Sequence, residues 1–192
     1  MDLRTLGRSI SNLCRCTDCK IKMEEKENKK GGRKGPTLND VTVSGLPKDC
    51  FVCKLDKINV KGLFHKEGEW HFNKHGDYMI VSDSDVVVVE LKSDPDYATC
   101  KKNEITLKFR SDAAILDYCD GVFKHVLDKK AFFQGKKMWY VLLYLSTPLS
   151  MESTSIKSAA SADPSHNTPE TFASIGVRNN DEISYKRLLV GF

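Results

Sequence analysis

Asp77, Glu90 and Lys92 sit at strand spacing within a largely apolar stretch, His75 to Lys92, that reads HGDYMIVSDSDVVVVELK. If Asp83 and Ser84 form a hairpin turn, Ser82 faces Asp85, Ile80 faces Val87 and Asp77 faces Glu90. Strand side chains alternate with a period of two, so Lys92 returns to the face of Glu90, and His75 falls opposite Lys92. Directly opposed residues hold their Cβ atoms roughly 4.5–5.5 Å apart, where two carboxylates repel unless a proton or cation lies between them. Mg²⁺ suits such a pair, because this hard ion binds one or two carboxylates together with waters and phosphate oxygens. The spacing predicts a metal site aimed at phosphate. A cross-strand salt-bridge cluster, with Lys92 balancing two surface carboxylates, is the alternative. Met79, Val81, Val86 and Val88 share the same face, and these apolar surroundings favour the polar site.

Elements must hold these groups in place. The short β-rich run CFVCKLDKINV from Cys50 predicts a first strand, and FHKEGEWHFNKHG a connector into the hairpin, which gives a three-stranded antiparallel meander. Pro95 in SDPDYATCKKNE stops the strand after Lys92. An amphipathic helix follows, capped by Ser111 or Asp112, with Ala114, Ile115, Tyr118, Cys119, Val122, Phe123, Val126 and Leu127 as its apolar stripe. The run MWYVLLYLS, Met138 to Ser146, reads as a central strand buried on both faces, reached through that helix by a crossover. Trp139, Tyr140 and Tyr144 then belong to the core rather than to a base-stacking platform. The expected fold class is α/β, a mixed sheet with an antiparallel meander, a crossover helix and a buried central strand.

The chain has 192 residues, 40% hydrophobic and 29% charged, enough for a real core. The expected organisation is an N-terminal part (1–40), a core (41–149) and a C-terminal part (150–192). Leu3, Leu6, Ile10 and Leu13 suggest a short helix, and KIKMEEKENKKGGRKGP, Lys20 to Pro36, a mobile charged loop. The basic end of that loop, Lys29, Lys30, Arg33 and Lys34, reads as a solvated charge run with phosphate contact as the alternative. A Ser/Thr-rich linker from Ser150 to about Pro169 precedes a strand-like end, ISYKRLLVGF, expected at a sheet edge. No apolar run approaches the roughly 20 residues of a membrane span, and no secretory signal core opens the chain, so a cytoplasmic, membrane-free location is expected. A net charge of +4 is compatible with a nucleic-acid partner without being diagnostic.

The element order, with Asp77 beside one strand and Glu90-Leu91-Lys92 closing the next, resembles the PD-(D/E)XK nuclease superfamily. Gly76-Asp77-Tyr78-Met79-Ile80 and Val87-Val88-Val89-Glu90-Leu91-Lys92 carry the likeness, which extends from Cys50 or His75 through Ser146. Gly76 stands where the family has proline. The resemblance implies a restriction-endonuclease-like fold and Mg²⁺-dependent (or Mn²⁺-dependent) hydrolysis of phosphodiester bonds, in DNA more than RNA, by an endonuclease. It implies metal binding by Asp77, Glu90 and the Leu91 backbone carbonyl, and a Lys92 that positions or activates water. An acidic residue from an early helix, with Glu67 or Glu69 nearest, and a polar residue from the following helix, among Lys108, Asp117 and Lys124, stay open. His75, opposite Lys92, and His71 read first as residues that shape the cleft or hydrogen-bond locally, with assistance to the metal site, by His75 before His71, as the alternative. A protein partner or homo-oligomer, and a defence role, follow by analogy.

Seven cysteines add a second possibility. Cys16-x-x-Cys19 and Cys50-x-x-Cys53 are knuckle-like pairs of the kind that bind structural Zn²⁺. Strand alternation around Cys50 and Cys53 would send them to opposite faces, which favours buried or free thiols. The rival from another class is therefore a noncatalytic nucleic-acid-binding or assembly subunit, with or without zinc, on the same scaffold.

Overall fold

A computed structural model describes residues 13–25, 38, 40–55, 74–146 and 168–190. Glu67, Glu69, His71, the basic run Lys29 to Lys34, Leu3, Leu6, Ile10 and most of the Ser/Thr-rich linker lie outside the described residues.

The fold is α/β with two mixed sheets. The strands are β1 (Leu13–Arg15), β2 (Lys20–Met23), β3 (Val41–Ser44), β4 (Phe51–Lys54), β5 (Tyr78–Val81), β6 (Asp85–Lys92), β7 (Lys137–Leu145), β8 (Ala173–Val177) and β9 (Asp181–Ser184). The helices are α1 (Lys102–His125) and α2 (Tyr185–Val190). The larger sheet runs β1-β4-β5-β6-β7-β8 and the smaller β2-β3-β9.

The hairpin has the expected register. Tyr78 pairs with Val89, Ile80 with Val87 and Val81 with Val86, and the Ser82 N–H donates to the Asp85 carbonyl at 2.9 Å. β4 pairs antiparallel with β5 and completes the meander. From β6 the chain crosses through α1 to β7, which lies parallel to β6 and is flanked by β8 on its other side. Four consecutive valines, Val86 to Val89, fit β6 because it is covered on both faces. Val86 and Val88 join Met79, Val81 and Leu142 under Ile105, Phe109, Leu116 and Phe123 of α1. Val87 and Val89 join Ile80 and Leu91 against Val41, Val43 and Ile183 of the smaller sheet and Leu188 of α2.

Several expectations need correction. α1 begins at Lys102, upstream of Ser111 and Asp112, so neither residue caps it. Its core face is Ile105, Phe109, Asp112, Leu116 and Phe123, while Tyr118, Val126 and Leu127 are exposed. A polar residue inside the stripe passes for a helix start when only apolar periodicity is followed. Leu13 lies in a strand, where pairing with Cys53 overrides its helical spacing. Lys20–Met23, expected in a loop, pairs with β3 because Ile21 and Met23 alternate with outward lysines. At the C-terminal end, Asp181–Ser184 does pair at a sheet edge, parallel to β3. Tyr185–Val190, however, is helical and buries Tyr185 and Leu188 at i, i+3. No described helix is long and apolar enough to cross a membrane.

Candidate active site

Asp77 sits at the entry of β5, fastened through its backbone. Its N–H donates to the Val89 carbonyl at 2.9 Å, and its own carbonyl accepts from the Leu55 N–H at 3.0 Å. The side chain is fixed as well, with Oδ2 accepting the Leu91 N–H at 2.7 Å. Glu90, inside β6, is fully buried. Its Oε1 is held by the Lys92 ammonium at 2.6 Å and by the ammonium of Lys108 from α1. The other oxygen, Oε2, has no hydrogen-bond partner among the described residues.

Burial and the closeness of two acids show in the electrostatics. Burial first, and the neighbouring Glu90 charge second, push Asp77 up to about 7, against the pull of the Leu91 N–H, Lys108 and Lys92. Burial alone would lower Lys92, but attraction to Glu90, Asp77 and Glu25 outweighs it and holds the ammonium charged. Lys92 also lies 5.1 Å from the centre of the Tyr97 ring, a cation–π distance. Glu25, just past β2, is raised chiefly by its own burial and accepts a hydrogen bond from the Ser93 hydroxyl.

A second buried acid stands behind this group. Asp112 of α1 is 1% exposed; its Oδ2 accepts the Gly76 N–H at 2.8 Å and its Oδ1 lies 3.2 Å from His75 Nδ1. Gly76 is tightly enclosed, since a Cβ there would meet Asp112 Oδ2 at 3.0 Å, Val88 Cγ1 at 3.1 Å and the Val89 carbonyl oxygen at 3.2 Å.

The structure thus gathers Asp77, Glu90 and Lys92, and selects Lys108 from the three helix candidates. Asp117 and Lys124 line a separate cleft of about 410 Å³ with Asp120, Phe133 and Lys136. His75, expected opposite Lys92, is engaged by Asp112. Sequence reading missed Asp112 and Glu25. For Asp112 a signal existed: with Lys108 it forms an i, i+4 pair within the apolar face of α1, and charge on a buried stripe marks a polar partner beneath it.

The cysteines follow strand alternation. Cys50 is buried on the face of the smaller sheet and Cys53 on the face of α1. The Cys16 N–H donates to the Cys50 carbonyl at 2.9 Å, and burial, then Cys16 and Cys19, push the Cys50 thiol up to about 12. Among the described residues no group of three or more His, Cys, Asp or Glu side chains forms a metal cluster.

Asp77 and Glu90, with the Leu91 carbonyl expected from the sequence, would offer an all-oxygen donor set. Two carboxylates and a carbonyl fit a hard cation that keeps its waters, such as Mg²⁺, better than a thiol-seeking ion. No protein-family model, curated protein or solved structure matches this chain.

Proposed function

We propose that the protein is a Mg²⁺-dependent nuclease that hydrolyses phosphodiester bonds of DNA as an endonuclease, on a restriction-endonuclease-like core. One observation carries the reading: a fully buried Glu90 leaves one oxygen without a partner among the described residues, beside an Asp77 whose proton is held up to about 7. Natural folds rarely strand a buried carboxylate oxygen, so a missing positive partner is the economical account. The meander β4-β5-β6, the crossover through α1 and the parallel β7 support the same family-like core.

In this reading Asp77, Glu90 and the Leu91 carbonyl hold Mg²⁺ or Mn²⁺. When bound, such an ion would supply Lewis-acid polarisation and a more acidic water. Asp77 orients through the Leu91 N–H. Lys92 is held charged, so it acts by stabilising negative charge developing on phosphate oxygens, not by accepting a proton. Lys108 adds a second ammonium from the helix side.

Purified protein is tested on DNA with Mg²⁺, alongside Glu90→Ala and Lys92→Ala. Cleavage is expected to vanish in both variants and on chelation; full cleavage by either variant defeats the proposal. A noncatalytic scaffold has one observation in its favour, because Lys92 and Lys108 already neutralise Glu90 without a metal. Mn²⁺ binding to the wild-type protein separates the two readings.

A further inference from the structure

Position 112 lies on the core face of α1, where Ile105, Phe109, Leu116 and Phe123 pack on the sheet and a leucine would be the ordinary occupant. A buried carboxylate is costly there, and an apolar residue of similar shape often serves a fold as well or better. Both bonds of Asp112 go to the two residues just before Asp77, namely His75 and Gly76. Gly76 has no room to shift toward α1, because the space a Cβ would fill is closed by Asp112 Oδ2, Val88 and the Val89 carbonyl. The chain therefore enters Asp77 along one path, clamped on the helix side by Asp112 and on the strand side by Val89 and Leu91.

We infer that Asp112 is a positioning residue, which fixes the backbone at Gly76 and the ring of His75 so that the next side chain, Asp77, presents its carboxylate beside Glu90. This rests on the metal-dependent reading above. Asp112 itself touches neither metal nor phosphate; it acts through Asp77. Supports of this kind are commonly worth about 10- to 100-fold in metal affinity.

The test compares wild type, Asp112→Leu and Asp112→Asn, each checked for folding by thermal unfolding. Mn²⁺ affinity is then measured by titration calorimetry without substrate, and kcat and KM on DNA. Asp112→Leu is expected to fold, to bind Mn²⁺ about tenfold or more weakly, and to lose kcat with little change in KM. Asp112→Asn, which keeps an oxygen for the Gly76 N–H, is expected to regain most of the affinity. If the leucine variant does not fold, Asp112→Ser takes its place, with a hydroxyl too short for both contacts and space for a water. A folded Asp112→Leu or Asp112→Ser with wild-type Mn²⁺ affinity overturns the positioning role alone. Wild-type protein that binds no Mn²⁺ overturns the nuclease reading and this role with it.

Discussion

Lys108 and Glu90 join α1 to the centre of the larger sheet, the ammonium resting on the same oxygen that Lys92 holds at 2.6 Å. The lysine side chains keep 17% and 19% exposure, whereas Glu90 keeps none. The acid is thus wholly dependent on its partners, while each ammonium retains some water.

Glu90→Leu is therefore expected to destabilise strongly, by about 3–5 kcal/mol, because it leaves two partly buried ammonium groups unpaired. Replacing all three residues, Glu90→Leu with Lys92→Met and Lys108→Met, should recover most of that loss. Urea unfolding of wild type, the single variant and the triple variant decides the matter; a triple variant as weak as the single one would mean that the cluster is needed by the fold itself.

Asp77 predicts a pH-dependent stability of definite sign. Its native pKa, about 7, lies above the ordinary 3.8, so the folded chain binds the extra proton and stability falls as pH rises between those values. Asp77→Asn removes the slope. The variant should exceed wild type by on the order of 2 kcal/mol above pH 7, a value discounted for the partial exposure of Asp77. The gap should close below about pH 4. Melting curves across the range measure it.

If Asp77 holds the proposed metal, proton and cation compete for the same carboxylate. Mn²⁺ affinity of the wild-type protein is expected to drop about tenfold for each pH unit below 7, and to level off above it. Paramagnetic resonance of free Mn²⁺ against pH gives the curve directly. An affinity flat through neutrality would remove Asp77 from the ligand set.

Gly76→Ala puts a methyl group against Asp112 Oδ2, Val88 and the Val89 backbone. The backbone oxygen cannot turn aside as a side chain can, so a loss of about 1–3 kcal/mol is expected. Chemical denaturation measures it.

Asp120 supplies a contrast. Its two oxygens accept the N–H groups of Phe132, Phe133 and Gln134 and so hold the chain leading into β7. Asp120→Ala should cost about 2–3 kcal/mol in stability yet leave Mn²⁺ affinity unchanged where the protein is folded.

The hairpin was legible because its turn, its alternation and its apolar faces all agree on one register. Asp77, Glu90 and Lys92 then fall together from strand geometry alone. The buried run around Leu142 was legible for the same reason, being apolar on both faces. Less could be read where the signal depended on a distant partner. β2 hides in a lysine-rich stretch and becomes a strand only against Val41–Ser44. β8 and β9 are short, and acquire their place from β7 and β3. Asp112 looks like a helix cap when apolar periodicity alone is followed; its spacing from Lys108 marks a polar partner beneath, but not that this partner is Gly76.

Apart from Glu25, every group in the candidate site comes from one unbroken stretch, His75 to Asp112. Contacts at short sequence separation close small loops and lose little chain entropy, so they form early in folding. The whole stretch precedes β8 and β9 in the chain.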